Sequence, residues 1–222
     1  MLRNVRKKSI SSSPLCWLLL LSLAGLSLSQ ALDEIDGRVV GGAAAPMNSA
    51  PYIVSMQYRG THYCAASILN SKWLVTAAHC LTNKAQVCGT TLVACSNAVA
   101  GTASTTQKRS IAHFKIHDLY TGGPAPYDIG LIYTETAFTW SSAVAAVKLP
   151  SSGSKPKGTA NLYGWGSTST GKTPSYPSVL QVAANLPILE HSVCDKALTQ
   201  KGANLHDTNI CTGCLAKIAL FE

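Results

Sequence analysis

Short stretches of alternating apolar and polar residues, separated by turns that contain glycine or proline, run along most of this sequence. Such stretches are typical of half-buried β-strands. The exception is a predicted helix at Leu189–Leu198, which follows Pro187. The pattern therefore favours an all-β fold, with an internal boundary at Ser151–Gly158. The strand candidates are Tyr52–Met56, His62–Asn70, Trp73–Thr76, Thr91–Ala94, Arg109–Ile116, Ile129–Tyr133, Ala145–Leu149, Thr159–Tyr163 and Val179–Leu186.

Residues 1–29 have the pattern of a secretory signal peptide. A basic start that ends at Lys8 precedes the apolar run Leu15–Leu28, and the small residues Ser27 and Ser29 offer a cleavage site. A membrane anchor is the alternative, but the run has about fourteen residues, whereas a bilayer span needs about 20. We therefore predict a secreted, extracellular protein without a membrane span.

The charged residues give no sign of a nucleic-acid partner. The formal net charge is +8, and part of it lies in the predicted signal peptide. Beyond that peptide the basic residues are scattered, and Lys108–Arg109 is the one adjacent pair. A solvated surface explains this distribution better than a nucleic-acid interface does.

The cysteine content points to disulfide bonds in an exported chain. One of the eight cysteines, Cys16, lies in the predicted signal peptide, which leaves an odd number. One thiol is therefore expected to be free, to pair with another chain or to have lost its partner. The Cys211–Cys214 pair has no matching ligands, so we predict no metal site and no cofactor. The remaining seven are Cys64, Cys80, Cys88, Cys95, Cys194, Cys211 and Cys214.

Five sequence motifs follow one another between Arg38 and Gly213. The most specific is Trp73-Leu74-Val75-Thr76-Ala77-Ala78-His79-Cys80, around a histidine that would otherwise be interpreted as structural. The other four motifs are Arg38-Val39-Val40-Gly41-Gly42, Tyr127-Asp128-Ile129-Gly130-Leu131, Gly164-Trp165-Gly166 and Asn209-Ile210-Cys211-Thr212-Gly213. In these motifs and in their order, the chain from Arg38 to Gly213 resembles the trypsin/chymotrypsin-like serine proteases, peptidase family S1.

The resemblance implies a fold and two catalytic roles. The expected fold is two antiparallel Greek-key β-barrels, the second incomplete. His79 would be the general base, since imidazole exchanges protons near neutral pH. Asp128 would hold the His79 ring in the correct tautomer and stabilise the imidazolium, as the aspartate of this family's catalytic triad does. Without the resemblance, Asp128 would be an acidic residue at the start of a surface strand.

The resemblance also implies disulfides and processing. The disulfides are Cys64–Cys80 and Cys194–Cys211; we add a local Cys88–Cys95 bond as a guess, which leaves Cys214 alone. A trypsin-like activating protease would cut after Arg38, so that residues 30–38 form a propeptide and residues 39–222 the protease domain. The expected product is a monomer that hydrolyses proteins or peptides.

The sequence departs from the family pattern after Gly213. The family places its catalytic serine there in a Gly-Asp-Ser-Gly-Gly loop, but this chain continues from Cys214 to Glu222, and its last serine is Ser192. We expect a domain that is truncated before the catalytic serine and is inactive in this form. The alternatives are a catalytically dead homologue that binds or regulates a partner, and a fragment that is degraded after synthesis.

Overall fold

The computed structural model describes residues 42–94, 97–123, 126–169, 173–199, 205–214 and 217–221, with side chains as far as residue 212. All of them belong to Gly37–Glu222, one of the two units into which the chain divides. The predicted signal peptide, the propeptide, the cleavage site at Arg38 and Val39, and Cys95 lie outside the described residues.

Eleven strands are present among the described residues, and six of them close into an antiparallel barrel in the first half of the chain. After β1 (Ala43–Ala44), the barrel strands are β2 (Ile53–Tyr58), β3 (Thr61–Ile68), β4 (Trp73–Thr76), β5 (Thr90–Ala94), β6 (Gln107–Ile116) and β7 (Gly130–Thr134). Strands β2, β3 and β4 follow one another, β5 returns beside β2, and β6 and β7 lead back to β4. This order is that of a Greek key, in which a long connection brings a strand back beside the first.

The alternating pattern of the barrel strands produces the core. On β7, Gly130, Ile132 and Thr134 are buried while Leu131 is exposed, because successive side chains point to opposite faces of a strand. The inward-facing apolar side chains form one cluster, which includes Met56 and Leu74 with no exposed surface. Strand β2 is buried on both faces, since it also packs against the second half of the chain.

The second half forms an open sheet. Its further strands are β8 (Thr159–Gly164), β9 (Gln181–Leu189), β10 (Ile210–Cys214) and β11 (Lys217–Phe221). The path runs β1–β9–β10–β11, and β8 pairs with β9; every pairing is antiparallel. Within the described residues this sheet does not close, while the strand content confirms the all-β prediction.

The helices are short. A 3₁₀ helix covers Ala78–Leu81, α1 covers Lys84–Cys88, and α2 covers His191–Thr199, close to the predicted helix Leu189–Leu198. Helix α1 begins after Asn83, whose side chain accepts a hydrogen bond from the backbone N–H of Gln86, as an N-cap residue does. Among the described residues there is no helix with the length and apolar character that a membrane crossing requires.

Two sequence-based expectations are wrong. Ala145–Leu149 is not a strand: it is held at single points, where Ala145 N–H donates to the Pro51 carbonyl and Val147 N–H to that of Ile68. The guessed Cys88–Cys95 bond is also wrong, because Cys88 is an exposed free thiol.

Candidate active site

His79 and Asp128 meet because their strands are neighbours in the barrel. Strand β4 ends at Thr76, just before the 3₁₀ helix that carries His79, and β7 begins at Gly130, just after Asp128. Thr76 and Gly130 are register partners in the antiparallel β4–β7 pair. The end of one strand therefore lies beside the start of the other, and 49 residues of chain separation are bridged at one rim of the barrel.

The Asp128 carboxylate contacts His79 through both of its oxygens. Oδ2 lies 2.7 Å from the Nδ1 atom of the His79 ring, and Oδ1 accepts a hydrogen bond of 2.7 Å from the His79 backbone N–H. The side chain of Asp128 is 21% exposed and that of His79 is 57% exposed. The carboxylate is thus fixed in orientation, while the imidazole remains accessible to solvent.

The environment keeps Asp128 ionised at neutral pH. Partial burial acts to raise the pKa of Asp128, but hydrogen bonds from the His79 ring and from the His79 backbone outweigh it, so that the pKa is lowered. An ionised carboxylate only accepts hydrogen bonds. The proton of a neutral His79 ring must therefore lie on Nδ1, which leaves the lone pair on Nε2, the nitrogen that acts as a base.

Gly130 allows the 3₁₀ helix to approach β7 closely. A Cβ atom at this position would lie 2.5 Å from Leu81 Cδ1 and 3.2 Å from the Lys115 carbonyl oxygen. Separations below 3.0 Å force a neighbouring group to move. The glycine two residues after Asp128 therefore packs closely against the element that holds His79, and a larger residue there would have to shift the Leu81 side chain.

Two disulfides are formed by described cysteines, and one of them holds the 3₁₀ helix that carries His79. Cys64 on β3 is bonded to Cys80 in the 3₁₀ helix, and Cys194 on α2 is bonded to Cys211 on β10; both are the pairs that the family resemblance implies. The first bond ties the residue next to His79 to the barrel wall. The free Cys88 lies at the end of α1 and takes no part in the site.

Three aromatic rings pack beside Asp128, a feature that the sequence analysis did not identify. The Tyr127 ring is stacked on His117 at a centroid distance of 4.8 Å and an interplanar angle of 8°. On another side it contacts His206 at 4.9 Å and 58°. Tyr127 lies in one of the five family motifs, but no local pattern links it to the two histidines.

Within the described part of the chain, no group of residues near His79 and Asp128 offers the free ligand atoms that a metal ion requires. Cys64, His79 and Cys80 are the group that comes closest, with donor atoms within 4.8 Å of one another. Both sulfurs, however, are consumed in the Cys64–Cys80 disulfide, so they are not the thiolates that bind metal ions. Two cavities among the described residues, of 580 and 270 Å³, are lined by neither His79 nor Asp128.

Comparison with known proteins identifies similar chains. A model of the trypsin family matches residues 39–219. Trypsin delta and trypsin gamma of Drosophila melanogaster are each 33% identical over 198 residues, covering 89% of this chain and 76% of the relative. Trypsin alpha-4 of Lucilia cuprina is 31% identical over 186 residues, covering 84% of this chain and 70% of the relative.

Proposed function

The chain belongs to the trypsin family of serine proteases, and from this premise we propose that its function is the hydrolysis of peptide bonds in secreted form. In this proposal His79 is the general base and Asp128 orients it. The observation that carries it is the double contact of the Asp128 carboxylate with the ring and backbone N–H of His79, each at 2.7 Å. That contact fixes the tautomer in which Nε2 takes a proton.

The chemistry explains why both side chains are required. A serine hydroxyl is a weak nucleophile until a neighbouring base removes its proton during attack on the substrate carbonyl. His79 would take that proton at Nε2 and return it to the leaving amine, while the Asp128 charge would stabilise the imidazolium in between. The His79 side chain is 57% exposed, which leaves the ring open to a substrate, and its Nε2 atom lies 3.5 Å from the Cys80 Sγ atom.

We extend the proposal to processing. Residues 1–29 would direct secretion, residues 30–38 would form the propeptide, and a trypsin-like protease would activate the domain by cutting between Arg38 and Val39. The basic residue before Val39-Val40-Gly41-Gly42 supports this site. Cleavage of the purified precursor by trypsin should yield a new amino terminus that starts at Val39, as amino-terminal sequencing would show.

The nucleophile is the part of the triad that the 222 residues do not supply, because no serine follows Ser192. Loss of the nucleophile alone lowers turnover by a factor on the order of 10⁶ in a protease of this chemistry, and loss of an oxyanion-hole donor by roughly 10² to 10³. We therefore propose that the 222-residue chain has no detectable peptidase activity, and that an active form carries a serine-containing segment after Gly213.

The test begins with the transcript, sequenced from upstream of the Cys194 codon. We expect an in-frame segment that encodes Gly-Asp-Ser-Gly-Gly after Gly213. The protein with that segment should hydrolyse peptide amides and lose this activity in the His79→Ala variant, whereas the 222-residue chain should be inactive. Activity of the 222-residue chain that His79→Ala abolishes, or activity of the longer form that survives His79→Ala, would contradict the proposal.

A second candidate function is that of a catalytically dead homologue that binds or regulates a protein partner. The lack of a serine after Ser192 is the observation that favours it. If the transcript encodes no such serine and the secreted protein contains Glu222 as its last residue, hydrolysis is ruled out for this chain. The retained His79–Asp128 pair favours the enzyme, because a binding protein has no chemical need for this geometry.

A further inference from the structure

The backbone at Tyr127 has a conformation that a tyrosine rarely adopts. Its φ angle is +65°, in the left-handed region that side chains with a Cβ atom avoid. The Ile129 N–H donates a hydrogen bond of 2.7 Å to the Tyr127 carbonyl, which closes a tight turn centred on Asp128. The direction of the Asp128 side chain therefore depends on a turn that Tyr127 must maintain.

The rings beside Tyr127 belong to two different parts of the chain. His117 follows β6 in the closed barrel, and its backbone N–H donates to the Ile129 carbonyl at 3.0 Å, on the far side of Asp128. His206 precedes β10 in the second sheet. Neighbouring residues hold His206 in place. Its ring Nδ1 atom lies 2.7 Å from Thr208 Oγ1, and its backbone N–H donates a hydrogen bond of 2.9 Å to Asn209 Oδ1.

We propose that Tyr127 is a positioning residue for the His79–Asp128 pair, held by the rings of His117 and His206. The two ring contacts keep the backbone of Tyr127 in the left-handed conformation, and the resulting turn directs the Asp128 carboxylate towards His79. Because His206 comes from the second sheet, the arrangement of that half of the chain is coupled to the geometry of the pair. The catalytic relevance of this coupling rests on the proposed function, but the contacts themselves do not.

Ring contacts are suited to this task. Aromatic pairs with centroids between about 4.5 and 7 Å attract one another beyond their area of contact, and both distances from Tyr127 are at the short end of that range. A tyrosine keeps a left-handed backbone conformation only where several surrounding contacts hold it there. The rings on two sides of the Tyr127 side chain provide such surroundings.

The experiment measures the exchange rate of the His79 Nδ1 proton with water by NMR, on the folded 222-residue chain at one pH. This proton is protected when Asp128 Oδ2 is in place, and its resonance is assigned by its loss in His79→Gln. Tyr127→Ala removes both ring contacts. It should accelerate exchange of the His79 Nδ1 proton by about 5- to 150-fold, which is the fold-change that corresponds to the free energy of two aromatic contacts. Tyr127→Phe, which keeps the ring, should remain within about twofold of the wild type.

A matched control comes from the same barrel. Tyr133 also has two ring neighbours, Trp73 at 4.9 Å and His113 at 6.3 Å, but it lies on β7 away from Asp128. Tyr133→Ala should leave the exchange rate of the His79 proton unchanged. Equal rates in Tyr127→Ala and Tyr133→Ala, or a Tyr127→Ala rate equal to that of the wild type, would overturn the proposal.

Two further variants separate the parts of the proposal. His206→Ala removes the contact from the second sheet and should accelerate exchange by about 2- to 12-fold, the range for one aromatic contact; a wild-type rate would overturn the coupling between the halves. Tyr127→Asn removes the ring but tolerates the left-handed conformation, so exchange should be slower than in Tyr127→Ala. If Tyr127→Ala does not fold, the exchange rates in His206→Ala and in Tyr127→Asn, each compared with the wild-type rate, still test the proposal.

This measurement needs no turnover, so its outcome is independent of the peptidase assays. If the longer, serine-containing form has no peptidase activity while Tyr127→Ala accelerates exchange in the 222-residue chain, the proposed hydrolysis is contradicted and the positioning role is supported. If the longer form is active while the His79 proton is insensitive to Tyr127→Ala, hydrolysis is supported and the positioning role is overturned.

Discussion

His62 differs from His79 in its environment, although both residues belong to the same barrel. Its Nδ1 atom lies 2.8 Å from Ser55 Oγ, and its ring packs 5.2 Å from the buried ring of Trp165. Burial lowers the pKa of His62 to about 4 because the charged imidazolium loses its hydration. The neutral ring is therefore part of the packing between β2, β3 and the second sheet.

The lowered pKa of His62 predicts a loss of stability in mild acid. The unfolded chain binds this proton near pH 6.5, whereas the folded protein binds it only near pH 4. The contribution of the neutral ring is thus complete above pH 6.5 and is lost as the pH falls from 6.5 to 4. Between pH 7 and pH 4, urea unfolding should show a loss of about 1–3 kcal/mol in the wild type that is absent from His62→Gln.

The control for this prediction is His113→Gln. His113 is exposed on β6, so His113→Gln removes a histidine but no buried ring, and the loss that arises from His62 between pH 7 and pH 4 should persist in this variant. If His62→Gln and His113→Gln have the same pH dependence as the wild type, burial of His62 does not control acid stability.

At the scale of elements, the 3₁₀ helix that carries His79 is placed by its contact with the start of β7. Leu81 at the end of this helix is fully buried, and its Cδ1 atom occupies the space beside Gly130. Since the same helix is bonded to β3 through Cys80, it is held on two sides. A side chain at position 130 would have to displace either Leu81 or the backbone of β6.

Gly130→Ala should lower the free energy of unfolding by about 1–3 kcal/mol through overpacking. Leu81→Ala should cost about 2–5 kcal/mol on its own, because it leaves a cavity. The double variant should cost less than the sum of the two by about 0.5–3 kcal/mol, since the smaller residue at 81 makes room for the new methyl group. Urea unfolding of the four proteins measures this coupling.

Leu92 on β5 provides the matched comparison, because it is as deeply buried as Leu81 but does not supply any of the three atoms nearest to a Cβ at Gly130. Leu92→Ala combined with Gly130→Ala should give an additive loss. Additivity in both pairs would mean that the close approach of Leu81 to Gly130 does not limit the packing of the helix.

The elements that the sequence predicted well are those with strong local signals. The strands from Tyr52 to Thr76 alternate clearly, and the helix after Pro187 is present at His191–Thr199. The meeting of His79 with Asp128 was predicted from a family resemblance, since alternation alone does not pair strands 49 residues apart. The structure adds the physical reason, which is the β4–β7 register.

The missed features depend on contacts that local sequence does not encode. Ala145–Leu149 has an apolar strand pattern, but its N–H groups bond to separate segments and no ladder forms. The contact of Tyr127 with His206 joins residues from the two halves of the chain, and neither residue type signals it. Such tertiary contacts become visible only when the barrel and the second sheet are assembled.

At the scale of the whole molecule, the two halves are stabilised unequally. The barrel is closed and encloses a core that includes Val54, Ile68 and Ile132 with no exposed surface. The core of the second half is smaller among the described residues, where Ala45, Ala50, Trp165 and Leu180 form a cluster of four against thirteen in the barrel. Among the described strands its sheet also has open edges, where backbone groups exchange with solvent.

This inequality predicts that the second half opens before the barrel. Native-state hydrogen exchange should show the slowest amides on β2–β7 and amides at least about tenfold faster on β8–β10, because local opening exposes less apolar surface there. The Cys194–Cys211 variant with both cysteines replaced by alanine should accelerate exchange on α2, β9 and β10 while leaving the barrel amides unchanged. A uniform acceleration across both halves would show instead that the two halves unfold as one cooperative unit. In that case the contacts of β2 with Trp165 and Val99 would join the halves more strongly than the sizes of their separate cores indicate.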